Sequence, residues 1–164
     1  MRKEFLAFIT LLYVIKLCLF KMGNLSENFN HKDFTCKCES CKGAGEYKIH
    51  LGLVGALEMI AVHFNKRPRV LSAYRCEPQA EKTTGTKRSL HSLGKAAHII
   101  LEGVSLPDLY KYVKDIPEIK GIGVHPKEGS LHLDTRSGER VEWVKEGDSN
   151  NPLTFEKKKQ YGLA

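Results

Sequence analysis

The sequence is short of runs and repeats. Its 26 lysines and arginines are scattered, and only residues 157–159 form a basic run. There is no basic stripe interleaved with aromatics, which argues against a single-strand nucleic-acid binder, and no nucleic acid is expected as a partner. No internal repeat occurs. The five cysteines include one close group, C-x-C-x-x-C at Cys36, Cys38 and Cys41, but no second close pair; Cys76 stands alone. The usual two-pair zinc module is therefore missing. Three readings stay open for these thiols: a structural metal, a disulfide from Cys76 back to Cys36 or Cys38, or neither.

The chain has 164 residues, which suits one domain with a modest core. A hydrophobic fraction of 41% and a charged fraction of 27% are ordinary for a folded protein. The formal charge of +7 points to an anionic partner or surface without selecting one.

Residues 1–21 are the one strongly apolar segment. Arg2 and Lys3 precede the apolar residues 5–15, and Lys16 breaks the run before residues 17–20. A positive start and an apolar run fit an export signal or short anchor, with possible membrane association through residues 5–20. No small-x-small cleavage site follows, and the uninterrupted stretch is short for a bilayer span. Export to the periplasm or envelope, or anchoring there, is one expectation. The other is a cytoplasmic protein whose true start is Met22.

Asn30 is placed to cap a short helical turn, and His31 reads as a surface residue. Residues 49–64 put Ile49, Leu51, Leu53, Val54, Leu57, Ile60, Ala61 and Phe64 at helical spacing, which predicts the main core helix. His50 and His63 on it read as surface or packing residues. Strands are expected over residues 70–74, 96–101, 119–124, 130–134 and 140–144, and a helix from the Ser105 cap to about residue 116. Residues 77–90 read as a long loop. Residues 146–164 read as a loose polar tail, leaving residues 24–145 as the domain.

The chemistry gathers around S-L-H-S-L-G-K-A-A-H at residues 89–98 and S-L-H-L-D at residues 130–134. His91, His98 and His132 would supply three imidazoles, enough for a hydrolytic zinc site with one open position. Residues two apart on a strand share a face, so His132 and Asp134 can point the same way. A carboxylate beside the metal, Asp134 or Glu128, would move the proton. A cation, Arg75 first and Arg136 second, would hold an oxyanion or a substrate carboxylate.

These residues also carry a family likeness. Residues 89–98 resemble the S-x-H-x-x-G-x-A-x-D signature of the D-alanyl-D-alanine metallopeptidases, the zinc peptidases of peptidoglycan grouped with lysostaphin and the hedgehog domain. S-A-Y-R-C at residues 72–76 resembles the family's S-G-Y-R segment. G-I-G-V-H at residues 121–125 resembles its G-I-G stretch. L-H-L-D-T-R at residues 131–136 resembles the H-x-D-x-R of the short single-domain branch, and residues 24–38 resemble the start of those proteins. The resemblance implies an α+β fold with a small, mainly antiparallel sheet flanked by helices. It implies His91 and His132 as zinc ligands, Arg75 and Ser89 as substrate-side groups, and a second ligand at position 98, where this chain has His98 in place of the family's Asp. The expected protein is a monomeric zinc peptidase cutting next to D-alanine in the peptidoglycan stem peptide. The alternative is a relative without activity that binds wall or partner on the same scaffold.

Overall fold

The computed structural model of the chain describes residues 23–41 and 45–164. Residues 1–21, read above as an export or anchoring segment, lie outside them. Among the described residues no helix is long and apolar enough to cross a membrane.

The fold is α+β, with six strands in one sheet and four α-helices among the described residues. In chain order these are α1 (Leu51–Phe64), β1 (Arg69–Ser72), α2 (Glu77–Thr84), β2 (Ala96–Ile100), α3 (Leu106–Val113), β3 (Gly121–His125), β4 (Ser130–Asp134), β5 (Val141–Glu146), β6 (Ser149–Pro152) and α4 (Phe155–Gln160). The sheet order is β1-β2-β4-β3-β5-β6. Every pairing is antiparallel except β3 with β5.

Strand alternation divides the sheet into a core face and a site face. Ala97, Ile99, Ile122, Val124, Leu131, Leu133 and Val144 are buried with Leu53, Val54, Leu57 and Ile60 of α1 and Leu109, Tyr110 and Val113 of α3. Each fully buried Leu or Ile here contributes about 1.5–3 kcal/mol relative to an exposed one. The expected arrangement of a main helix behind the strands is therefore what forms. α1 stops at Asn65, which takes left-handed backbone angles and donates its N–H to Ala61 and Val62 carbonyls. α3 starts as its sequence signals, with the Ser105 side chain accepting from the Asp108 N–H.

Two expectations fail. Residues 77–90 are not one long loop: α2 occupies Glu77–Thr84, with Pro78 in its first turn and Gly85 ending it at φ 72°. Only Ala80 of this helix is buried, so it carries almost no apolar period. Residues 146–164 are not a loose tail. β6 pairs with β5, and α4 docks through Lys158–Glu142 at 2.7 Å, a Lys157–Glu146 ion pair and the Tyr161 hydroxyl on Glu146. Leu153 and Leu163 enter the core.

Candidate metal centre

The site face gathers side chains from four strands. β2 and β4 pair with His98 directly opposite His132. β3 lies beside β4 with Gly123 opposite His132 and Gly121 opposite Asp134. Those two glycines make room. A Cβ on Gly121 would sit 2.0 Å from Asp134 Oδ2, and one on Gly123 would sit 2.6 Å from the Trp143 ring. The G-I-G stretch thus lets a carboxylate and an indole lie flat over the sheet.

His91 comes from outside the sheet, on the turn before β2. Ser89 and Ser92 close that turn reciprocally: the Ser89 N–H donates to Ser92 Oγ at 2.9 Å and the Ser92 N–H donates to Ser89 Oγ at 3.1 Å. The turn is tied to the segment after β1, because His91 Nδ1 donates to the Ala73 carbonyl at 2.6 Å and the Arg75 N–H donates to the His91 carbonyl. Ser89 therefore shapes the His91 turn rather than lining the pocket.

His91, His98 and His132 converge, each offering a ring nitrogen within 4.8 Å of the other two. Their partners settle which nitrogens are bare. The Ala73 carbonyl can only accept, so the proton of neutral His91 sits on Nδ1 and Nε2 keeps its lone pair. That Nε2 is buried and has no hydrogen-bond partner. Asp134 Oδ2 lies 3.1 Å from His132 Nε2, so that nitrogen carries the proton and Nδ1 is bare. His132 Nδ1 in turn lies 3.1 Å from His98 Nε2. Nitrogens in a tetrahedral zinc site are separated by about 3.3 Å, given zinc–nitrogen bonds of about 2.0–2.1 Å.

The electrostatics suit a metal as well. Burial, with the neighbouring His132 and Arg75, pulls the His91 pKa down to about 3. Burial lowers His98 further, helped by His132 and His91. His132 is also lowered by burial, despite its bond to Asp134. All three are neutral near pH 7, the form that ligates. An orphaned buried nitrogen, two tautomers fixed from outside and neutral rings together fit a cation held by these three residues.

The other expected site residues divide. Asp134 is fully buried and held by Arg136, whose Nη2 donates at 2.6 Å and Nε at 2.8 Å. Burial alone would raise its pKa, but Arg136 and His132 hold it well below the usual carboxylate range. Arg136 is thus occupied by Asp134 and lies over Trp143, 5.4 Å from the ring centroid, not free in the pocket. Arg75 does line the pocket with the three histidines. It donates to two neutral hydroxyls, Ser72 Oγ at 3.1 Å and Thr83 Oγ1 at 3.3 Å. Glu128 is half exposed on the β3–β4 turn, 3.5 Å from His125 Nδ1.

Sequence reasoning gave His125 no role. It lines the same pocket, with its ring 4.9 Å from that of His98. Its position two residues past Gly123 puts it on the site face, which was the available signal. His50 precedes α1 as its N-cap residue, with Nδ1 3.1 Å from Thr135 Oγ1, and His63 on α1 stacks on Tyr112; neither belongs to the cluster.

The pocket sets three neutral imidazoles where they can hold a metal ion. A family model described as Peptidase M15 matches residues 27–134, and the chain belongs to that family of metallopeptidases. The match spans both histidine motifs and ends at Asp134. No curated protein matched the chain.

Proposed function

We propose that the protein is a zinc-dependent peptidase that hydrolyses peptide bonds next to D-alanine in bacterial peptidoglycan. The observation carrying this reading is the convergence of His91 Nε2, His98 Nε2 and His132 Nδ1 at the floor of an open pocket of about 400 Å³. His98 stands where the family likeness has an aspartate, and it reaches the cluster because β2–β4 register sets it opposite His132. His91, His98 and His132 would hold the zinc ion, which would supply Lewis acidity towards a carbonyl and lower the pKa of water.

The chain's own residues supply the rest. Arg75, half-buried and bonded to neutral hydroxyls, receives the substrate carboxylate or the developing negative charge. Asp134 keeps the proton on His132 Nε2 and fixes the ring, so it positions a ligand rather than moving a proton. Proton movement falls to His125: Glu128 holds its Nδ1 side, leaving Nε2 to take a proton and pass it to the leaving amine. Trp143 walls the pocket beside His132, with ring centroids 5.0 Å apart, and screens that side from water. Such a substrate would call for a protein at the cell envelope.

Mass spectrometry of peptidoglycan fragments incubated with the zinc-loaded protein tests the reading. Loss of D-alanine, or a cut beside it, is expected; unchanged fragments from both pentapeptide and cross-linked substrates would overturn it.

A further inference from the structure

Outside the histidine pocket, the four cysteines among the described residues lie together. Cys36, Cys38, Cys41 and Cys76 place their sulfurs within 4.8 Å of one another, and none is joined in a disulfide. Cys38 and Cys76 sulfurs are 3.6 Å apart, too far for a bond and close to the about 3.8 Å edge of a zinc tetrahedron with zinc–sulfur bonds of about 2.3 Å. We propose that these four cysteines form a second metal site, a closed tetrathiolate that binds a structural zinc ion.

Three further observations support a built site. The Cys38–Cys41 segment is a tight turn, closed by the Cys41 N–H on the Cys38 carbonyl at 3.1 Å. Cys76 is the N-cap residue of α2, so its thiol sits at a helix N-terminus. A helix N-terminus supports thiolate charge. The surrounding segment has little else to fold around. Cys36, Cys76 and Tyr74 form a small buried group of their own, packed by Cys38 and Cys41 and separate from the main core. A lobe so poor in apolar side chains needs a staple, and four thiolates without a fifth ligand position make a structural one. The set is soft and sulfur-only, which selects zinc over magnesium or calcium.

The site bears on the pocket next to it. Cys76 follows Arg75 directly, and the adjoining Ala73 carbonyl holds the His91 ring. Metal at the cysteines therefore anchors residues 73–76, the strip that carries Arg75 and steadies His91. The assignment does not depend on the peptidase reading, since the four thiols lie outside the histidine cluster.

The test uses the full chain, purified reduced with zinc, and a variant carrying His91→Ala, His98→Ala and His132→Ala. That variant is expected to retain about one zinc ion per chain. Exchanged for cobalt, it should show strong thiolate-to-metal charge-transfer absorption, and four thiols should resist a thiol reagent until a chelator is added. Adding Cys36→Ser and Cys76→Ser should remove both metal and absorption. Should those substitutions unfold the chain, Cys41→His in the same background is expected to keep the metal with a shifted cobalt spectrum. A folded triple-histidine variant that is metal-free, or whose four thiols react at once or are already paired as disulfides, would overturn the proposal.

Discussion

Asp134 Oδ2 lies 3.1 Å from His132 Nε2, and the same carboxylate is clamped by Arg136. The pair fixes the His132 tautomer, and with it the lone pair that faces His98 and His91. Asp134→Asn breaks that logic, because an amide can turn its NH₂ towards the ring and also loses the ion pair with Arg136. Zinc affinity, read by chelator competition, should fall about 10- to 100-fold while far-ultraviolet circular dichroism is kept. Unchanged affinity would mean that Asp134 serves only the Arg136 pair.

His125 is assigned the proton, and Glu128 the positioning of its ring. His125→Ala and Glu128→Gln should lower kcat by about 100-fold or more with zinc content unchanged, and both should alter the pH profile of kcat. If the two variants keep full kcat, the proton moves by another route.

Arg75 is assigned the substrate's negative charge. Arg75→Gln should lower kcat/KM by about 10- to 100-fold on a peptide ending in a free carboxylate, and by much less on the same peptide amidated. Equal loss on both substrates would instead mark a structural role for the guanidinium through the Ser72 and Thr83 hydroxyls that accept from it.

The histidine cluster also sets an acid limit on the metal-free protein. Burial depresses His91, to about 3, and depresses His98 and His132 as well. In the unfolded chain a histidine titrates near 6.5. As pH falls through that value the unfolded state takes up protons that the folded state refuses. Stability is therefore full above about pH 6.5 and falls below it, by about 1.4 kcal/mol per pH unit for each such histidine, until the folded pKa is reached. Asp134 adds in the same direction at lower pH: its contribution is present above the unfolded carboxylate value and is lost as pH falls towards the folded one. Urea midpoints of chelated protein should drop between pH 7 and pH 5, and His98→Ala should flatten the slope. Midpoints that hold steady over that range would contradict the burial argument.

Much of this arrangement was legible in the residues. Alternation along residues 130–134 places His132 and Asp134 on one face, and the helical spacing of residues 49–64 predicts the helix behind the sheet. What alternation cannot supply is register. That His98 sits opposite His132 follows from the β2–β4 pairing, a contact between residues 34 apart in the chain. The Asp134 assignment shows the same limit, because the sequence shows a carboxylate near a histidine but not the Arg136 clamp that occupies it. Cys76 looks solitary at 35 residues from Cys41 and meets it only through the tertiary fold. α2 and α4 escaped notice because polar helices docked by single apolar residues or ion pairs leave little hydrophobic period to read.

The central claim is that His91, His98 and His132 together hold the zinc that hydrolysis requires. The most direct measurement is D-alanine release from a soluble stem pentapeptide by the natural chain, His98→Ala and His98→Asp, each with its zinc content determined. The account predicts release by the natural chain, its abolition by chelator with recovery on zinc addition, and loss of both activity and one zinc in His98→Ala. A zinc-loaded natural chain that releases nothing, beside a His98→Asp variant that does, would contradict it.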